Sequence, residues 1–215
     1  MAERPILFSA PMVRAILAGR KTRTRRLLAA PSRSVCTSGR WVDLDFGSDR
    51  VYVDGLPASG QYLHVPVFPD GDGCVHRVWS RVEPGDRLWV KEAWAYFGGD
   101  ELLYQQHRPS VAYRASYEPS PVEPGYVPGG RWRASIHMPR WASRLTLRVT
   151  EVRAERLQAI TSAEIWAEGI AFLPLFSEGH GSPLQYWIRG WDAINPGAPW
   201  SSNPWVWAYA FEVLP

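Results

Sequence analysis

Only two of the 215 residues are cysteine, Cys36 and Cys74. Both stand in loop-like sequence, so no disulfide framework is indicated, and two lone thiols do not make a metal site. No stretch of ~18 or more apolar residues occurs, which argues against a membrane span. No basic segment followed by an apolar run opens the chain, so secretion is not expected and the cytoplasm is the expected location. The five histidines, His64, His76, His107, His137 and His180, show no metal-ligand spacing, and no metal or other cofactor is expected. Internal repeats and low-complexity segments are also missing. No composition break divides the chain, so a single domain over 1–215 is expected, with an insertion at about 31–81.

The residues present are those of a soluble globular protein, 46% hydrophobic and 21% charged. The net charge of +3 is modest but unevenly placed. One basic cluster runs from Lys21 to Arg33 and another from Arg131 to Arg156. Such clusters suit a polyanion such as RNA, or a solvated basic face. Twelve tryptophans imply an aromatic-rich core, stacking surfaces, or both.

Pro5–Phe8 reads as a short buried strand. Ser9 can cap a helix with Pro11 in its first turn, Met12, Val13, Ile16 and Leu17 recur at helical spacing, and Gly19 suits the position past its end. Lys21–Leu28 then reads as a strand. Residues three apart on a strand point to opposite faces, so Lys21 and Thr24 meet only if the chain turns after Gly19 or carries a bulge. The insertion reads as hairpins, with strands at Trp41–Phe46, Arg50–Val53, Tyr62–Phe68 and Val75–Val82. After the turn Glu83–Asp86, the strand Arg87–Trp94 places Leu88, Val90, Glu92 and Trp94 on one side, so Glu92 stands among apolar neighbours. A short strand at Val111–Arg114 and a Pro-rich loop over Glu118–Gly130 follow, then a long half-buried strand from Ser143 to Leu157. Thr161–Glu164 is a capping box for a helix ending at Gly169. Ser182–Pro183 opens a helix through Ile194 with Tyr186, Trp187 and Trp191 on its apolar side, and Trp205–Leu214 closes the chain as a buried strand. Strands dominate two or three short helices, so the expected fold is α+β, mainly β, with a small curled or barrel-like sheet.

Several of these stretches together resemble the ASCH family, a branch of the PUA-like β-barrel superfamily. The carrying residues are Ile6-Leu7-Phe8, the run Gly19, Lys21, Thr24 and Arg26 behind a helix, the segment Pro84–Glu92, Ser135–Arg144, and Asn203–Trp207. The resemblance implies a PUA-like barrel. One branch of the family carries Lys-x-x-Thr and acts as an amidohydrolase on N4-acetylcytidine and related acylated cytidines. By motif position, Lys21 is then the base, Thr24 the nucleophile, and Glu92 the carboxylate that completes the site. Other members are thought to bind RNA, with ribonuclease activity proposed for some. An RNA-binding module, or an RNA-cleaving version of it, is therefore the competing expectation.

Hydrolysing an N4-acyl amide needs a nucleophile, a proton acceptor and a group to hold the oxyanion. A threonine hydroxyl serves only with a base in hydrogen-bond reach. Lysine becomes that base when its pKa falls from ~10.4, which desolvation and nearby cations both favour. A carboxylate beside it acts the other way, so Glu92 is expected to orient Lys21, shuttle a proton or bind the exocyclic amine. Arg23 and Arg26 are the expected substrate-holding cations, and Trp89 or Trp94 the aromatic that stacks on the cytosine. On these terms the expected partner is a modified cytidine base or nucleoside, with RNA as the other candidate.

Overall fold

A computed structural model describes residues 1–28, 34–35, 41–42, 67–69, 75–77, 80–97, 110–117, 131–170 and 182–215. In chain order the strands and helices are β1 (Glu3–Leu7), α1 (Ala10–Leu17), β2 (Arg23–Leu27), β3 (Ser34–Val35), β4 (Trp41–Val42), β5 (Val67–Pro69), β6 (Val75–Arg77), β7 (Arg87–Lys91), β8 (Trp94–Phe97), β9 (Ser110–Tyr113), β10 (Thr146–Arg156), α2 (Ser162–Ala167), α3 (Pro183–Ile194) and β11 (Trp205–Val213). The fold is α+β and mainly sheet. A five-stranded sheet in the order β1-β7-β10-β11-β2 carries it. β1 and β7 are parallel and the other neighbours antiparallel.

The expected closure into a barrel is absent among the described residues. The sheet stays open, with β1 and β2 as its edges. A backbone ladder needs strands ~4.8 Å apart. Here a cavity of about 220 Å³, lined by Pro5, Ile6, Leu7, Arg26, Leu88 and Tyr209 among others, lies between the two edges. One side chain crosses the gap: Arg26 Nη2 of β2 donates to the Leu7 carbonyl of β1 at 2.8 Å. A guanidinium thus stands where a ladder would close the sheet.

Of the insertion, only short pairs are described. β3 pairs with β4, and β5 with β6. The expected partner of the Trp41 strand, Arg50–Val53, and the Pro-rich loop Glu118–Gly130 lie outside the described residues.

Two apolar clusters flank the sheet. The larger joins Phe8, Val13, Ile16, Leu88, Val90, Leu147, Val149 and Phe211 around α1. The smaller joins Leu157, Ile165, Tyr186, Trp187, Trp191 and Val206 under α2 and α3. β11 is buried by both: Trp207, Tyr209 and Phe211 belong to the first cluster and Val206 to the second. That explains why its sequence reads as a nearly continuous apolar run.

β10 contains an irregularity with direct consequences. Its register with β11 shifts between Val149 and Glu151. Leu147 and Val149 are buried before the shift, and Val152 after it. An extra residue at a bulge reverses which parity faces inward. Glu151, Arg153 and Glu155 consequently leave the core face: Glu151 pairs with Arg23 and Glu155 with Arg25 of β2, and Arg153 pairs with Glu155.

The helices start as their caps dictate. Thr161 with Glu164, and Ser182 with Gln185, form complete capping boxes. Ser9 caps α1 in extended geometry without a side-chain hydrogen bond, and Leu17 stays exposed while Ala15 joins the core. Gly169, just past α2, has φ +81°, and a Cβ built there would stand 2.8 Å from the Ala15 Cβ and 3.0 Å from the Lys21 Cβ. Only glycine allows both this backbone and this approach. Gly169→Ala is expected to lower stability by about 1–3 kcal/mol in denaturant unfolding; an unchanged midpoint would contradict this packing of α2 against α1.

Candidate active site

The chain turns where the shared-face condition for Lys21 and Thr24 requires it. Gly19 breaks α1 with φ +69°. The N–H groups of Arg20 and Lys21 both donate to the Ala15 carbonyl, at 2.9 and 3.1 Å. Lys21 makes a lone antiparallel bridge to Glu168, while Thr22 donates to the Ala167 carbonyl and accepts from Phe211 N–H. Lys21 therefore lies ahead of β2 rather than within it, yet its amine and the Thr24 hydroxyl are not hydrogen-bonded to each other.

The Lys21 ammonium is fully buried, with no exposed side-chain surface. An ammonium has three protons to donate. Nζ contacts three acceptors: the Arg23 carbonyl at 2.8 Å, the Glu168 carbonyl at 3.0 Å and Glu168 Oε2 at 2.8 Å. The first of these belongs to the residue before Thr24, which places the ammonium beside the Thr24 backbone. Burial pushes the Lys21 pKa below its ordinary value; the charge and hydrogen bond of Glu168 oppose this, and Arg26 and Arg25 add to the lowering.

Thr24 is also buried, and its hydroxyl oxygen accepts from Arg26 Nη1 at 3.1 Å. The Phe8 ring stands close to both cations, with Lys21 Nζ 5.6 Å and Arg26 Cζ 5.2 Å from its centroid. Thr24, Arg26 and Glu168 line a cavity of about 560 Å³ that lies between the two apolar clusters. Its walls come from Pro11 and Met12 of α1 and from Tyr186, Trp187, Trp191 and Ile194 of α3. Trp187 and Trp191 stack at 5.6 Å and 18°, and Trp191 Nε1 is tied to the Ala198 carbonyl at 2.8 Å. The aromatic wall is thus held in place by its own packing.

Three sequence expectations land elsewhere. Glu92 is buried, as are Leu88, Val90 and Trp94, but the expected strand Arg87–Trp94 ends at Lys91, and Trp94 opens β8 and packs with Met138 and Ala142 in a cluster apart from Leu88 and Val90. Glu92 does not meet Lys21, however. Beyond Lys91 the backbone leaves β7 and the Trp94 segment bridges to Arg133, and the Glu92 carboxylate is clasped by Arg144 through Nε at 2.8 Å and Nη2 at 3.1 Å. Burial pushes the Glu92 carboxyl above the usual range and Arg144 opposes it. The carboxylate on Lys21 is Glu168. Arg23 turns away from the cavity to Glu151 and Glu164. Trp94 is a core residue packed edge-on to Trp141, and Trp89 stands near the Lys91 and Arg140 cations, 5.4 and 5.8 Å from its centroid. Neither tryptophan lines the cavity, whose aromatic lining is Phe8 together with Tyr186, Trp187 and Trp191 of α3. The signal for that was present: Tyr186, Trp187 and Trp191 share one face of a helix.

Three cations of the basic run, Lys21, Arg23 and Arg25, are paired with carboxylates. Arg25 is buried and bonds Glu155, Glu164 and Glu168. Arg153 bonds Glu151, Glu155 and Glu164. Lys21, Arg23, Arg25 and Arg153 thus face Glu151, Glu155, Glu164 and Glu168, four charges of each sign. Among the described residues no group of three His, Cys, Asp or Glu side chains is arranged to hold a metal ion.

The chain matches no protein-family model, and comparisons with curated proteins and with solved structures likewise return no match.

Glu164 gives the network a pH signature. Burial alone would raise its pKa, but the Thr161 N–H and the Arg153 and Arg25 guanidiniums outweigh it and hold the carboxyl at about 2, below an ordinary value of 4.5. A depressed carboxylate pKa stabilises the fold above the unfolded value and loses that contribution as pH falls through the folded one. Stability is therefore expected to drop by about 2–3 kcal/mol between pH ~4.5 and ~2 from this group. Glu164→Gln should remove that part of the acid limb in pH-dependent denaturation; an identical acid limb in the variant would contradict the assignment.

Proposed function

We propose that the chain is an ASCH-type, PUA-like protein that hydrolyses the N4-acyl amide of an acylated cytidine, with Thr24 as nucleophile and Lys21 as base. The observation that supports this reading is Thr24 lining a large cavity, with the Arg26 guanidinium donating to its hydroxyl and the buried Lys21 ammonium bonded to the carbonyl of the preceding residue, Arg23.

In the reaction, neutral Lys21, with two protons left to donate, releases the Arg23 carbonyl and turns its lone pair to the Thr24 hydroxyl, and Thr24 Oγ bonds to the acyl carbon as its proton passes to Lys21 Nζ. Negative charge grows on the carbonyl oxygen beside Arg26, in a site of low polarity where a fixed cation counts most. The bond from the acyl carbon to N4 then breaks, and N4 takes the proton from Lys21 and leaves as the amine of cytidine. Water attacks the Thr24 ester, gives its proton to Lys21, and the carboxylic acid departs with the Thr24 hydroxyl restored. Glu168 takes the orienting role that the family pattern assigned to Glu92: it fixes the Lys21 side chain and stabilises its charged form between steps. Arg26 remains as the expected cation at the reacting centre, while Arg23 serves the ion-pair network.

The competing RNA reading needs cations free to meet phosphates. Arg23 and Arg25 of the basic run are each bonded to at least two carboxylates, which favours a small-molecule cavity over a polyanion-binding face.

Incubation with N4-acetylcytidine is expected to release cytidine and acetate, and Thr24→Ala to lower turnover by at least about a thousandfold. No turnover of any N4-acylcytidine by the intact protein would refute the reading. The pH profile offers an independent check. A base that acts as the free amine makes the rate rise with pH through its own pKa, expected below the ordinary ~10.4 of lysine. Removing the charge of Glu168 by Glu168→Gln, which keeps an acceptor oxygen, lowers the Lys21 pKa further, so the rising limb should move to lower pH. A limb that moves to higher pH would contradict the coupling.

A further inference from the structure

Gly190 occupies the interior of α3, two turns past the Ser182 cap, on the face shared with Tyr186 and Ile194. Glycine is the weakest helix former after proline, so a helix-interior glycine calls for a reason. The usual reasons do not hold here. Its φ is not in the left-handed region, and a Cβ built on it meets no atom within 4 Å among the described residues. Nothing is packed so closely that only glycine fits. The open space beside it is the cavity that Gly190 lines together with Trp187, Trp191 and Met12.

We infer that Gly190 is the size determinant of this cavity, and that the apolar space it keeps open between α1 and α3 takes a bulky apolar acyl group, larger than acetyl, on the amide that Thr24 attacks. The inference rests on the amidohydrolase reading for the reaction, and on the cavity alone for the binding preference. Two observations orient the substrate. The polar groups Thr24, Arg26 and Glu168 come from β2 and the end of α2, where the carbonyl must lie for attack. The walls on α1 and α3 are Pro11, Met12, Trp187, Trp191 and Ile194, which offer contact area to a hydrocarbon or an aromatic ring rather than to a sugar. A volume of about 560 Å³ leaves room that an acetyl methyl group does not fill. Burying each further methylene in such a site is worth a factor of about four.

The test compares N4-acetylcytidine, N4-hexanoylcytidine and N4-benzoylcytidine on the wild-type chain, Gly190→Ala and Gly190→Leu. Both substitutions favour the helix, so loss of folding is not the expected outcome. For the wild type, kcat/KM is expected to be at least about tenfold higher for the hexanoyl and benzoyl substrates than for the acetyl one. Gly190→Leu should reverse or abolish that ratio, with Gly190→Ala intermediate. Equal kcat/KM for the three substrates in the wild type overturns the inference. So does an equal loss on all three in Gly190→Leu, which would place the cytosine rather than the acyl group against α3. If no substrate is turned over, the reaction assignment has failed, and calorimetric binding decides the cavity separately. N4-benzoylcytidine binding at least about tenfold tighter than N4-acetylcytidine, and weakened to parity by Gly190→Leu, upholds the preference. No binding, or equal binding, overturns it.

Discussion

The Lys21 side chain has no exposed surface, and its amine is paired with a carboxylate. Taking an ammonium out of water costs several kcal/mol, and the loss is offset only if partners replace the hydration shell. Here they do: two backbone carbonyls and one carboxylate accept its three protons. Each partner belongs to a different part of the architecture. The Arg23 carbonyl fixes the start of β2, and Glu168 fixes the end of α2, 147 residues away in sequence. The broken helix end at Gly19, the glycine at 169 and the strand of Thr24 all converge on this one group. A buried ion pair is a poor source of net stability, but it tolerates few alternative arrangements, and this one ties the start of β2 to the end of α2.

Around that pair the arginines sort into two sets by strand parity. Arg23 and Arg25 face the carboxylates that the β10 bulge and α2 present, and their charge is used there. Arg26, on the other parity with Thr24, spans to the Leu7 carbonyl and touches the threonine hydroxyl. One basic run therefore does two jobs. Alternate arginines tie β2 to β10 and α2, while the remaining one bridges the open edges of the sheet and meets the cavity. A sheet closed by a backbone ladder would leave no such opening beside β1 and β2.

Much of the local structure was legible in the sequence. Alternation at Leu88, Val90, Glu92 and Trp94 marked all four as buried, although the strand breaks after Lys91, and the capping box at Thr161 and the Ser182–Pro183 pair located two helix starts. These are short-range signals, set by backbone period and by hydrogen bonds within a turn. Partners across the fold were not legible. Glu92 and Glu168 are both buried or nearly buried carboxylates, and nothing in the spacing says which one faces Lys21 and which one faces Arg144. The reversal of parity in β10 was hinted at by two successive polar residues, Thr150 and Glu151, yet its effect depends on where β11 pairs. The tryptophans misled for a related reason. Trp89 and Trp94 have opposite parity on their segment, so at most one could have faced a shared site, and the cavity takes its tryptophans from α3, with Phe8 beside them. The resemblance is carried by short motifs, and a long insertion separates the one that holds Lys21 and Thr24 from Glu92.

The account centres on a threonine made nucleophilic by a buried lysine at the edge of an apolar cavity. Its most direct test is mass spectrometry of the protein quenched during turnover of an N4-acylcytidine. The account predicts a transient acyl ester on the peptide carrying Thr24, formed before the carboxylic acid appears and absent when Lys21 is replaced by methionine. Acylation of a different residue, or release of cytidine with no acylated protein at any time while Thr24→Ala retains full activity, would contradict it.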